Sequence, residues 1–163
     1  MNTQSILEII QDSAIADWMR YTNNAMPVVE ATHVLSATLL FGTVLIVDLR
    51  LLGVLDSTRA FTRISREVLP LTWMAFGISV ITGSLMFTTN ALTYFGNAAF
   101  QMKALSLFGA GLNMALFRMF PTRVAGLVSM LLWAAVVLLG RWIGFTKGYD
   151  FTIPPGVEFV FPG

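Results

Sequence analysis

Apolar residues run along most of this chain in four stretches, each long enough to matter on its own. They cover about Val28–Leu55, Val68–Thr89, Phe100–Phe120 and Thr122–Phe145. A bilayer core needs about 20 helical residues, so each stretch predicts a membrane-spanning helix. Ahead of them, residues 5–19 alternate differently: Ile6, Ile9, Ile10, Ala14, Trp18 and Met19 are apolar, with Glu8, Asp12 and Asp17 between. That spacing predicts an amphipathic helix lying in the interface plane or packed on its own bundle, opened by a Ser5–Glu8 capping box. Tyr21, Asn23, Asn24 and Pro27 break the pattern, and Pro27 suits the first turn of the next helix. Residues 56–67 and 90–99 read as connections, Pro121 as a tight turn. In the tail, 146–163, prolines and glycines forbid a fifth helix and the aromatics of Val157–Phe161 offer a contact surface over the outer helix ends or a neighbour. The expected fold is all-α: one membrane domain over 1–163, a four-helix bundle preceded by a short interfacial helix.

Composition agrees with this pattern. Of the 163 residues 56% are hydrophobic and only 12% charged, about half the charge of an ordinary soluble domain. The absence of cysteine excludes disulfides, thiolate metal sites and thiol nucleophiles. The first residues lack a basic stretch and are interrupted by acids, which does not read as a cleavable signal peptide. Arg50, Arg59, Arg63 and Arg66 follow the first span, and Arg118 and Arg123 flank the turn between the third and fourth. The opposite connection carries no Lys or Arg between Gly96 and Gln101. Basic residues in short loops mark the cytoplasmic side, so both termini are expected on the outer, periplasmic side of a bacterial inner membrane. The basic residues sit beside the spans rather than in a patch, which gives no reason to expect nucleic acid as a partner.

Insertion in that direction brings the unusual polar residues to one depth. His33, the single histidine, falls about two turns below the outer surface at 1.5 Å per residue. Glu30 is one turn above it; Lys103, Arg141 and the pair Thr88 and Thr89 reach matching depths on the other spans. Ionisable residues within spans usually face the bundle interior and pair. Lys103 and Arg141 also have stems long enough to snorkel to the interface, whereas histidine does not. Asp48 and Arg50, near the inner end, are expected to form a local ion pair or to neutralise a neighbouring helix. Ser36, Ala37 and Leu40 continue the face of His33, and Ser106, Ala110 and Met114 that of Lys103. Such small residues leave room for a flat cofactor, or simply allow close helix packing.

His33, Gly42, Arg50–Leu51 and Lys103–Ala104–Leu105 resemble the pattern of the four-helix bacterial protoporphyrinogen oxidase family. That pattern has a histidine in the first span, then a glycine and an arginine–leucine pair, and a lysine opening the third span. Phe41–Gly42 is followed by Thr43, which departs from the family's aromatic–glycine–leucine signature. The chain resembles uncharacterised bacterial four-span proteins more closely still, and that resemblance implies the fold alone. The oxidase resemblance implies a haem b held by His33, with Lys103 near its other face or its propionates, and a redox or electron-transfer role. Taken on their own chemistry, Lys103 and Arg141 could pair with propionates, and Glu30 could orient the imidazole. With one histidine, a second axial ligand would be Lys103, a methionine such as Met102 or Met86, or a histidine from a second copy. Two other readings stand beside it: a small transporter or channel using Glu30, His33 and Asp48, and a non-catalytic subunit. The small-residue helix surfaces also equip the chain to form a homo-oligomer or to dock a redox partner subunit.

Overall fold

The computed structural model describes residues 2–55, 61–117 and 122–146, with only the backbone of 61–67 and 117. These residues form helices and no strand. Four are long: α3 (Ala25–Leu51), α4 (Phe61–Thr88), α6 (Ala98–Phe117) and α7 (Arg123–Thr146). Three are short: α1 (Thr3–Gln11), α2 (Ala14–Tyr21) and α5 (Ala91–Gly96). The tail 147–163, the connection at 56–60 with Arg59, the side chains of Arg63 and Arg66, and the turn with Arg118 and Pro121 lie outside the described residues.

Three stretches are long and apolar enough to cross a membrane: Ala25–Leu51, Val68–Thr88 and Arg123–Thr146. The 20-residue α6 is not among them; Gln101, Lys103 and Asn113 dilute its hydropathy. Polarity is distributed as a membrane protein requires. Ser36, Thr43, Asp48, Thr72, Ser79, Thr82 and Ser129 are buried, while Leu35, Leu105, Phe108 and Leu138 are each about 70% exposed (72%, 73%, 72% and 69%). In water that arrangement would squander the hydrophobic effect. In lipid, tails solvate the leucines, and the hydroxyls find partners inside.

The long helices run up and down. His33 meets Thr82 and Ser36 meets Ser79 between α3 and α4, an antiparallel register. Lys103 lies against Gly140 and Asn113 bonds Ala125 between α6 and α7, again antiparallel. Between α3 and α7, a Cβ at Gly126 would stand 3.1 Å from Leu51 Cδ2, a tight contact that the glycine relieves. Helices α4 and α6 are linked by aromatic side chains: Phe76 reaches Gly111, and Phe87 stacks on Phe100 with ring centroids 5.3 Å apart. The middle of the assembly is a dry cluster of Leu40, Val44, Ala75, Ala110 and Trp133.

At one end the structure differs from the sequence reading. The segment expected as one helix over 5–19 is two, because Ser13 interrupts it. Its hydroxyl donates to the Ile10 carbonyl (2.7 Å) and accepts from the Ala16 amide (3.4 Å), capping α2. Ser5 lies inside α1, whose N-cap is Asn2, so no Ser5–Glu8 box opens the helix. The expected loop 90–99 contains α5, which packs on α1. Arg20 holds this cap together: it bonds Asp17 (3.1 Å), the Gln11 carbonyl and the Thr89 carbonyl at the end of α4 (3.3 Å). Leu7, Ala16, Met19 and Ala91 are buried beneath it. Asn97 caps α6, accepting from the amides of Ala99 (2.9 Å) and Phe100 (3.3 Å), and donates to Thr146 at the end of α7 (3.0 Å).

Candidate functional site

Beneath that cap, His33 faces α4. Its Nδ1 lies 2.9 Å from the Thr82 hydroxyl. Thr82 Oγ1 lies 2.7 Å from the Ile78 carbonyl and 3.3 Å from that of Ser79, with one proton to give. With that proton on a carbonyl, the Thr82 oxygen accepts from Nδ1–H, and the neutral ring then carries its proton on Nδ1. Nε2 is left with its lone pair. Gly83 makes room for the ring, since a Cβ there would be 3.2 Å from His33 Cε1. One turn further in, Ser36 and Ser79 hydroxyls pair at 2.8 Å, and Ser36 also bonds the His33 carbonyl at 3.0 Å. The histidine thus ends a short ladder of hydroxyls that fastens α3 to α4.

The other residues picked out by depth divide. Lys103, on α6, is partly buried with its Nζ 3.4 Å from where a Gly140 Cβ would be. It does not extend along its own helix to the interface. Its charge and that of Glu30 both act on the imidazole, so these three residues share one neighbourhood. Glu30 itself is exposed, and the histidine's hydrogen-bond partner is Thr82 rather than Glu30. Arg141 is exposed and its guanidinium stands 4.9 Å over the Phe145 ring. That cation–π contact keeps it on its own helix. Thr88 and Thr89 bond carbonyls of their own helix, Leu85 and Met86.

At the opposite end lies a polar layer that sequence reading did not assemble. Asp48 on α3 is only 2% exposed, and its Oδ2 has no hydrogen-bond partner. The expected ion pair with Arg50 is absent among the described residues: the Asp48 carboxyl interacts with the Ser129 hydroxyl of α7, and Arg50 Nε is itself buried without a partner. Two residues apart on a helix, the two side chains point about 200° apart and cannot meet. Beside Ser129 a mostly apolar pocket of about 20 Å³ is lined by Leu69 and Thr72 of α4, Asn113 and Met114 of α6 and Val44 and Val47 of α3. A second space, about 80 Å³ and apolar, lies between Asp48, Phe41, Met130 and Trp133. Trp133 Nε1 is buried there without a partner. Each of the four long helices gives one polar side chain to this layer. The depth matching that singled out His33 would have found it had it been applied to Thr72, Asn113 and Ser129.

Compared with protein-family models, with curated proteins and with solved structures, the chain matches none. Among the described residues no three His, Asp or Glu side chains converge into a metal-ion site. A porphyrin asks less, because its four nitrogens supply the equatorial ligands and the protein adds one or two axial atoms. The bare Nε2 of His33 fits that need, and its Nδ1–H bond is the contact that orients an axial imidazole. Neither of the two spaces described above touches His33.

Proposed function

We propose that this chain is a four-span integral membrane bundle that binds haem b through His33 Nε2 and serves a redox or electron-transfer role. In this reading α6 is the fourth span, and both ends face the outer side of a bacterial inner membrane. The observation that carries the proposal is the Thr82 hydroxyl. In this reading its oxygen takes Nδ1–H, which fixes the ring and its tautomer and leaves a ligating nitrogen in an apolar helix where an idle imidazole would be costly.

The chain's own residues would divide the work. His33 supplies the axial nitrogen, Thr82 holds the ring, Gly83 leaves it space, and Lys103 offers a cation to a propionate. Glu30 and Arg141 stand further out, where they adjust the charge around the site. Bound haem would supply one-electron chemistry at a potential set by its ligand and burial.

The test is the absorption spectrum of protein purified in detergent, oxidised and after dithionite. A Soret band is expected, lost in His33→Ala, with haem bound about 10–100-fold more weakly in Thr82→Val. A wild type that is colourless and takes up no added haemin would overturn the reading. The alternative, a small transporter or channel, is favoured by one observation: Asp48 lies buried with no basic partner among the described residues.

A further inference from the structure

We infer that α1 and α2 seat their uncovered apolar strips in the membrane leaflet at the His33 end of the bundle, so that the cap binds lipid as well as the long helices. This is independent of the haem reading and would survive its failure.

Each of the two helices presents three strips. Leu7 of α1, and Ala16 and Met19 of α2, turn toward the rest of the protein and are buried. At about 100° per residue, a second strip on each helix carries the charges: Glu8 on α1, and Asp17 with Arg20 on α2. The third strip is apolar and uncovered. On α1 it holds Ile6 and Ile9, the latter 62% exposed, and on α2 it holds Ile15, Trp18 and Tyr21, with Trp18 52% exposed. A helix whose first apolar strip is already packed gains nothing by leaving another in water.

Position and residue type name lipid as the cover. Helix α2 ends at Tyr21 and the membrane-length apolar helix α3 begins at Ala25, so the strip lies at the edge of the hydrocarbon layer. The exposed apolar surface continues into the first turn of α3 through Val28. At the same end, where Thr146 bonds Asn97 beside α5, Trp142 and Phe145 are exposed on the last turns of α7. Trp and Tyr concentrate at this depth, with the ring at the acyl boundary and the polar tip among headgroups. Charge attraction is not the holding force. The polar side carries Glu8, Asp12 and Asp17, and Arg20 is engaged by Asp17 and two carbonyls. Insertion therefore rests on apolar area alone and needs no anionic headgroup.

The lack of native cysteine lets each strip be probed with a single nitroxide label. Single cysteines replace Ile6, Ile9 or Ile15, and for comparison Glu8, Asp12 or Asp17, in the full-length protein reconstituted into phosphatidylcholine vesicles. All six positions are exposed, so the packed core is untouched. In power-saturation measurements the labels on the apolar strip should be relaxed by oxygen and shielded from a water-soluble nickel chelate, at a depth of about 5–10 Å. Labels at the acids should be relaxed by the chelate instead. The pattern should hold in purely zwitterionic lipid and in high salt. Free access of the chelate to positions 6, 9 and 15 would mean that the strip stands in water, and would overturn the inference. Shielding of those positions from both reagents would overturn it equally, because protein would then be the cover: a second copy if the spectra narrow on dilution with unlabelled chain, another partner if they do not.

Discussion

A histidine in an apolar helix has two nitrogens to satisfy, and the partner taken by one decides what the other can do. Thr82 is that partner here: with its hydroxyl proton on the Ile78 carbonyl, its oxygen accepts from His33 Nδ1–H. Ring ¹⁵N chemical shifts should therefore report the Nδ1–H tautomer in the wild type, and a loss of that preference in Thr82→Val. Wild-type shifts typical of an Nε2–H ring would contradict the hydrogen-bond assignment. The neighbouring Ser36–Ser79 pair is a simpler case, a hydroxyl bridge of 2.8 Å with no charge involved. Interhelical bonds inside membranes average about 0.6 kcal/mol. A double-mutant cycle of Ser36→Ala and Ser79→Ala, read from unfolding in mixed micelles, should return a coupling of about that size.

Helix pairs in this protein are set by which residues are small at the crossing. Gly126 allows α7 to reach Leu51 and the Asp48 carbonyl, whereas a Cβ at Gly42 would meet nothing within 4 Å. Gly42→Ala should raise stability by up to about 1 kcal/mol, the helix-propensity gain with no packing loss. Gly126→Val should instead lower it by about 1–3 kcal/mol through overpacking, both measurable by denaturation in micelles. The three-helix cap follows a different rule. It is held by Arg20 reaching Gln11, Asp17 and Thr89. Arg20→Ala should speed amide exchange in α1 and α2 while α3 and α7 stay protected. Equal loosening of all four segments would show that the cap and the long helices open as one unit.

For the whole molecule, the absence of native cysteine makes topology directly measurable. Single cysteines at Thr22 and Thr146 should react with a membrane-impermeant maleimide added to intact spheroplasts, and one at Val54 only after lysis. The reverse pattern would invert the bundle and put His33 near the cytoplasm. Opposite reactivity of positions 22 and 146 would mean that α6 or another helix does not cross.

Some of this was legible in the chain because lipid simplifies the reading. Continuous apolar stretches give the helices, since only helices and closed barrels satisfy every backbone group without water. The same pattern puts the ends of the long helices within four residues of where they lie, except that α4 starts at Phe61 rather than Val68, inside the stretch 56–67 expected as a connection. Depth along each span also gives the shared neighbourhood of Glu30, His33 and Lys103, because rise per residue is constant. Rotation about each helix axis is different. It decides that Arg141 lies over Phe145, that Asp48 turns to Ser129 instead of Arg50, and that Thr82 rather than Glu30 holds the histidine. An all-round apolar helix carries no stripe from which that rotation can be read; it is set by the fit of small residues and hydroxyls between helices. So the sequence by itself determined the four long helices and the level of each polar group along them, and only tertiary packing decided the short helices of the cap and which polar groups meet.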